Sequence, residues 1–272
     1  EAYGHKNEIQ YVIDDIMKKN IALDEVVLAY TNGKYADLIN IEFESSSLPI
    51  SFGQGLGIKA SSVCRFIETI FNWAQNYYSI KEIRPIFINR DLKIDLEKVR
   101  TQGSISPASM YEELIRSKVL YGRDNYKRIL EMGENSLKEQ GLADYIVDRR
   151  LWLKEFFQDL FQGLPSEDII CLGDYIPGLV KIIDKYVRIF NKYDGAALGV
   201  VYETLSLIEN IDIEVTREEY FDIVLSYIGQ GRILRTQAQP GQVFCTTYKN
   251  AGYTGRKHLY LIGLDSDSLS NK

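Results

Sequence analysis

Residues that favour strands are gathered at the two ends of this chain, and nearly everything between them reads as helix. Val26-Val-Leu-Ala-Tyr30 is a short, continuous apolar run, the pattern of a buried strand. Near the other end, Val243-Phe-Cys-Thr-Thr247 reads as a strand. A loop then runs from Tyr248-Lys249-Asn250 through Tyr253 to Arg256, into a second strand at Leu259–Ile262 and a turn at Gly263-Leu-Asp265. The expectation is that Val26–Tyr30 joins these two strands in one mainly parallel sheet, so that the intervening chain is an insertion.

The rest of the amino-terminal segment fits that scheme. Asn7-Glu8 opens a helix to Lys19, Tyr35 to Glu44 forms another, and Leu48-Pro-Ile50 leads into Gly53, Gly55 and Gly57. From Ser61 to Arg235 the pattern is helical. Ser61-Ser62 can cap a helix that carries Val63, Phe66, Ile67, Ile70, Phe71 and Ala74 on one face. Ser106-Pro107 starts another, with proline in the first turn. Further amphipathic stretches cover Tyr126–Leu137, Leu142–Phe161, Leu179–Tyr193, Ala196–Ile208 and Thr216–Tyr227, with breaks at Arg100–Ser104, Gly163–Ser166, Ile176-Pro177-Gly178 and Tyr193-Asp-Gly195. The expected fold class is α/β, a partial parallel sheet with a large all-helical insertion, divided as 1–60, 61–235 and 236–272. Trp152, Phe156, Phe157 and Phe161 could form a base-stacking platform, but their helical spacing fits a core better.

With 272 residues, 45% of them apolar, and 19 Tyr and 11 Phe, the chain can bury a substantial core. No apolar run approaches the roughly 20 residues of a membrane-spanning helix, and no basic-apolar leader is visible, so the expected compartment is the cytoplasm, with no membrane partner. Cys64, Cys171 and Cys245 are far apart, and His5 and His258 are the only histidines, so no metal site is expected. The net charge of −6 argues against a surface that wraps nucleic acid as a whole. Local contact remains open at Lys249-Asn250-Ala251-Gly252 with Arg256 and Lys257, or at Gly229–Arg235, against the simpler reading of solvated loop charges.

No catalytic residue and no cofactor is expected. The only Gly-Lys pair, Gly33-Lys34, is followed by Tyr35 and lacks the preceding glycine of a phosphate loop. Asp24-Glu25 precedes its strand, where an acidic pair holding magnesium would follow one. Gly53-Gln-Gly55-Leu-Gly57 has Ile58 where a dinucleotide fingerprint needs its third glycine, and reads as a relaxed turn. Asp14, Asp15, Glu112 and Glu113 lie on helices with no histidine near in sequence.

The two end segments together resemble UvrD/Rep-type superfamily 1 helicases. Their second RecA-like subdomain carries Thr-x-His-x-Ala-Lys-Gly-Leu-Glu, an apolar strand and Gly-Leu-Asp/Glu. This chain keeps Thr247, Ala251, the strand and Gly263-Leu-Asp265, but has Lys249 for the His, Gly252 for the Lys, Tyr253 for the Gly and Gly255 for the Glu. Upstream, the family's strand ends Tyr-Arg-x-Asn with an ATP-contacting Arg, where this chain has Tyr30-Thr31-Asn32. Thr31 and Gly252 are thus degenerate nucleotide-facing positions. The pattern is closest to the helicase-like B subunits of AddAB-type helicase-nucleases, whose own motor motifs are degenerate. The resemblance implies a RecA-like subdomain with an inserted helical subdomain, and a non-catalytic fragment of a DNA repair or recombination protein. It would touch single-stranded DNA through Lys249, Asn250 and Arg256, and contact the rest of its parent and a helicase-nuclease partner subunit. The chain reads as an excised piece, ending before the family's last motor motif and any nuclease domain. The other reading is a protein interaction scaffold on a relic helicase fold.

Overall fold

A computed structural model describes residues 4–94, 106–131, 133, 137, 140–233 and 237–264. The chain divides into two compact units, one formed by Glu1–Gly57 with Arg232–Lys272 and the other by Ile58–Gly231.

The first unit is built on a four-stranded parallel sheet. Helix α1 (His5–Lys18) is followed by β1 (Val26–Tyr30), α2 (Lys34–Ser45), β2 (Ile50–Phe52) and β3 (Leu56–Gly57). All five residues of β1 are buried, as its unbroken apolar run requires. The strand order is β2-β7-β1-β8, where β7 (Val243–Thr247) and β8 (His258–Ile262) come from the far end of the chain. Val27 faces Phe244 on one side and Leu259 on the other. The sheet expected from the two ends is therefore present, with β2 added at the outer side of β7. Arg232-Ile233 (β6) pairs antiparallel with β3 at the edge of this unit.

Alternation along the strands sends one set of side chains to each face. Tyr260 donates a hydrogen bond to Asp15 on α1 at 2.7 Å, and α1 packs on α2, so these two helices cover the face of Leu28 and Tyr260. The opposite face is covered by a single helical turn, α11 (Tyr248–Ala251), whose Ala251 packs on Val27 and Ala29.

The second unit is mainly helical. Its helices among the described residues include α3 (Ser62–Gln75), α4 (Ile80–Ile88), α5 (Pro107–Arg116), α6 (Lys127–Leu130), α7 (Asp144–Gly163), α8 (Ile176–Tyr186), α9 (Lys192–Glu209) and α10 (Arg217–Gly229). It also holds a short antiparallel pair, β4 (Ile169–Cys171) with β5 (Glu214–Thr216), which the helical periodicity of the middle does not reveal. The amino-terminal caps follow from the sequence. Ser61 accepts a hydrogen bond from the amide of Cys64, and Ser106 and Thr216 each head a capping box.

Two expected breaks are helix starts instead. Pro177 sits in the first turn of α8, where its missing N–H costs nothing, and Tyr193-Asp-Gly195 lies inside the first turn of α9 because Asn191 caps that helix. The real interruption is Val187–Asn191. The stretch Tyr126–Leu137 holds the short α6, and Leu137 at its end is helical again, while the break at Arg100–Ser104 lies outside the described residues. Helix α4 escaped the periodicity reading because Pro85 stands within it.

Trp152, Phe156 and Phe157 are core side chains, and Phe161 packs against Trp73, Tyr78 and Tyr126, so the aromatic run on α7 is no open platform. Trp73 donates to the Tyr126 hydroxyl at 2.8 Å, which in turn donates to the carbonyl of Tyr78 at 2.9 Å. Helices α7 and α8 meet at Gly163 and Gly178, where a Cβ on Gly178 would lie 2.8 Å from the Gly163 Cα. Gly178→Val should therefore lower the stability of the helical unit by roughly 1–3 kcal/mol through overpacking against backbone. Gly199→Ala, in the exposed middle of α9 where a Cβ meets nothing within 4 Å, should raise it by about 0.5–1 kcal/mol. Urea titration followed by tryptophan fluorescence reads both.

Candidate nucleic-acid interface

In an open parallel sheet, ligands gather at the carboxyl ends of the strands where the connections of two neighbours leave in opposite directions. That point here lies between β1 and β7. From β1 the chain passes through α2 to β2, beyond β7; from β7 it passes through α11 to β8, beyond β1. The connecting helices lie on opposite faces, so both crossovers have one hand, as the rule for parallel strands demands. Thr31 and Asn32 leave β1 at this edge, and Thr247 to Asn250 leave β7 beside them.

Thr31 holds the edge together. Its Oγ1 donates to the carbonyl of Gly263, just after β8, at 2.5 Å. Gly263 has φ +75, and a Cβ there would stand 2.7 Å from Thr31 Oγ1 and 2.6 Å from the Tyr35 ring. The Tyr35 hydroxyl donates to Glu8 at 2.7 Å and lies 2.8 Å from His5 Nδ1. Thr31 therefore has a structural task of its own. Asn32 accepts from the amide of Lys34 at 3.1 Å, which tightens the turn into α2. Gln54, after β2, donates to Thr247 Oγ1 at 3.2 Å. Burial pushes the Tyr30 hydroxyl up to about 12 and raises the Asp37 carboxyl above its ordinary range, with Arg232 opposing both shifts.

Lys249 and Asn250 are exposed on α11, and Lys249 Nζ lies 6.0 Å from the ring centroid of Tyr248, itself half exposed. Gly252 is exposed with φ −69, and a Cβ there would meet nothing within 4 Å. Packing does not require a glycine at that position. Tyr248 and Tyr253 are contact candidates that the charge-based reading of this loop passed over; Tyr253 is 91% exposed.

Arg256 is elsewhere. Its guanidinium donates to the carbonyls of Leu23 at 3.2 Å, Val26 at 2.9 Å, Gln242 at 2.6 Å and Gln239 at 3.2 Å, and lies 5.7 Å from the centroid of the Phe244 ring. These carbonyls stand at the amino ends of β1 and β7, roughly 13 Å along the strands from Lys249. The desolvation that accompanies this burial lowers the pKa of Arg256 from its ordinary value. Lys257 lies at the same end, paired with Glu25 at 2.5 Å. The charged loop thus contributes Lys249 and Asn250 to the carboxyl edge and uses Arg256 and Lys257 to close the amino edge. Of the second candidate segment, Gly229–Arg235, Leu234 and Arg235 lie outside the described residues, as does Asp265 of the Gly-Leu-Asp turn.

Two of the carboxylates noted in the sequence have partners, Asp15 with Lys19 and Tyr260 and Glu113 with Arg150. Cys64 and Cys245 are buried, while Cys171 is partly exposed and contacts Asp212. Among the described residues no cluster of three or more His, Cys, Asp or Glu could hold a metal ion, and no helix is long and apolar enough to cross a membrane.

Arg256→Ala should destabilise the sheet unit by roughly 2–3 kcal/mol, since it removes charge-assisted bonds and leaves carbonyls poorly satisfied. Lys249→Ala should change stability by less than about 0.5 kcal/mol. Hydrogen exchange at the β1 amides separates the two outcomes.

No protein-family model matches this chain, and neither does any curated protein.

Proposed function

We propose that this chain is a non-catalytic piece of a helicase-like protein of DNA repair or recombination, and that its sheet edge faces single-stranded DNA. The observation that carries the reading is the meeting of β1 and β7 at a reversal of strand order, with Lys249, Asn250 and Tyr248 exposed on the turn that leaves it. A phosphate attracted to Lys249 and a base against Tyr248 would suit an unpaired strand. Arg256 plays no part in this contact. The absence of a phosphate loop from the sequence and the engagement of Thr31 with Gly263 favour a motor subdomain that has lost nucleotide chemistry.

One observation favours partner contact on the same unit. The strand β8 is an edge of the sheet, and its Leu259 and Leu261, with Leu264 beyond it, are 57%, 40% and 52% exposed. Parallel sheets are ordinarily covered on both faces, so this strip suits contact with other domains of a parent protein or with a helicase-nuclease partner subunit. A protein interaction scaffold without DNA binding rests on the same strip alone.

Lys249→Ala should weaken binding of a labelled single-stranded oligonucleotide at low salt by up to about 1 kcal/mol, the scale of one exposed charge pair. Gly252→Lys, which the open surroundings of that residue accommodate, should strengthen it without loss of thermal stability. Fluorescence anisotropy across a salt series reads both; indifference to both substitutions would favour the scaffold. Calorimetric titration with a magnesium-ATP analogue should show no micromolar binding.

A further inference from the structure

The helical unit carries a cationic surface that the resemblance to helicases does not account for. After α4, residues 91–93 run antiparallel to residues 186–188 at the end of α8. Leu92 bridges Val187, the Arg188 amide donates to the carbonyl of Asp91 at 2.8 Å, and the Lys93 amide donates to that of Tyr186 at 2.8 Å. Leu92 and Val187 are buried and fix this short ribbon to the core. Around it Arg90, Lys93, Arg188 and Lys192 are exposed, and none forms an ion pair with another described residue.

Among the described residues, the acidic groups beside them are already engaged. Asp91 is wholly buried and receives Arg65 Nη2 at 2.6 Å and Nε at 3.2 Å. Asp159 accepts from Lys185 at 2.5 Å and from the Tyr186 hydroxyl at 2.7 Å. Asp194 is buried and accepts the amides of Ser62 at 2.8 Å and Phe190 at 3.2 Å. The described residues of this region therefore offer positive charge to solvent, in a chain whose net charge is −6. An aromatic ring lies within it: the Arg188 guanidinium sits 5.0 Å from the centroid of Phe190, which is 45% exposed, and the neighbouring Ile189 is 40% exposed.

Like charges left unpaired on a fixed ribbon repel one another and gain nothing from the fold, whereas a polyanion would relieve them. Lys93 and Arg188 are diagonal neighbours across the ribbon, roughly 7–8 Å apart at the backbone, a spacing at which one strand can engage both. A ring beneath a guanidinium suits an unstacked base, which a duplex does not present. We infer that the ribbon 91–93/186–188 with Phe190 and Lys192 is a binding surface for single-stranded nucleic acid, with phosphates on Lys93 and Arg188 and a base on Phe190. This inference concerns the helical unit alone and does not rest on the reading of the sheet edge.

The test uses the full chain in a Lys249→Ala background, which keeps any contribution of the sheet edge constant, and a labelled oligothymidylate observed by fluorescence anisotropy. Lys93→Ala/Arg188→Ala should weaken binding about tenfold at low salt and reduce the steepness of log K against log salt by about 1.4, the value for two single-strand phosphate contacts. Lys93→Arg/Arg188→Lys should keep the slope. Phe190→Ala should weaken binding about fivefold with no change of slope, and should make no difference with an abasic strand of equal length. All these side chains are exposed, so the tryptophan-monitored unfolding midpoint should stay in place and certify the fold. Unchanged affinity and slope in the Lys93/Arg188 variant would overturn the inference. So would a duplex bound as tightly as the single strand, or equal competition by polyglutamate or by anionic lipid vesicles.

Discussion

Everything in the sheet unit depends on the backbone ladder that β1 makes with β7 on one side and β8 on the other. The two partners lie more than two hundred residues beyond it in sequence. Without them β1 would be a fully apolar segment with no hydrogen-bond partners on either flank, and each orphaned buried amide or carbonyl would cost on the order of 1–3 kcal/mol. The long insertion between the ends is tolerable because the entropy of closing a loop grows only with the logarithm of its length. A compact insertion reduces even that cost, since its two ends are held by its own core. Gly231 lies against Ile58 so closely that a Cβ would be 2.6 Å from the Ile58 Cδ1, which brings the two exits of the helical unit side by side.

This arrangement was legible because its signals are local and strong. Val26–Tyr30 has no polar residue to place in solvent, and the two carboxyl-terminal runs are too short and too rich in β-branched and aromatic residues to be helices. Caps such as Ser61, Ser106 and Thr216 announce their helices for the same reason: a short hydroxyl side chain can reach a nearby free amide. The errors came where one residue type serves two purposes. Proline and glycine in Ile176-Pro177-Gly178 suggested a break, yet proline in a first turn begins a helix. The strands β4 and β5 are three residues each, too short for a period to appear, and owe their pairing to long-range closure.

The candidate site shows a different limit. Charge in a sequence says nothing about direction. Lys249 and Arg256 are seven positions apart and look like one basic loop, but a strand-length separates them because α11 turns at one end of the sheet and the chain returns to the other before β8 begins. What distinguishes them is the fate of each cation. Arg256 meets four carbonyls and becomes part of the fold, whereas Lys249 among the described residues meets the ring of its neighbour. The ribbon near Phe190 was equally hidden, since Lys93 and Arg188 are brought together only by the antiparallel bridge at Leu92.

Both tryptophans of the chain, Trp73 and Trp152, are buried in the helical unit, and the sheet unit contains none. Helices that contact their sequence neighbours form quickly, while strands from distant parts of a chain must wait for loop closure. Indole emission during refolding would therefore report the early event and fall silent before the parallel sheet assembles. The late event would have to be followed through tyrosine absorbance or the protection of β1 amides, and a chain judged native by its tryptophans could still have its two ends unjoined.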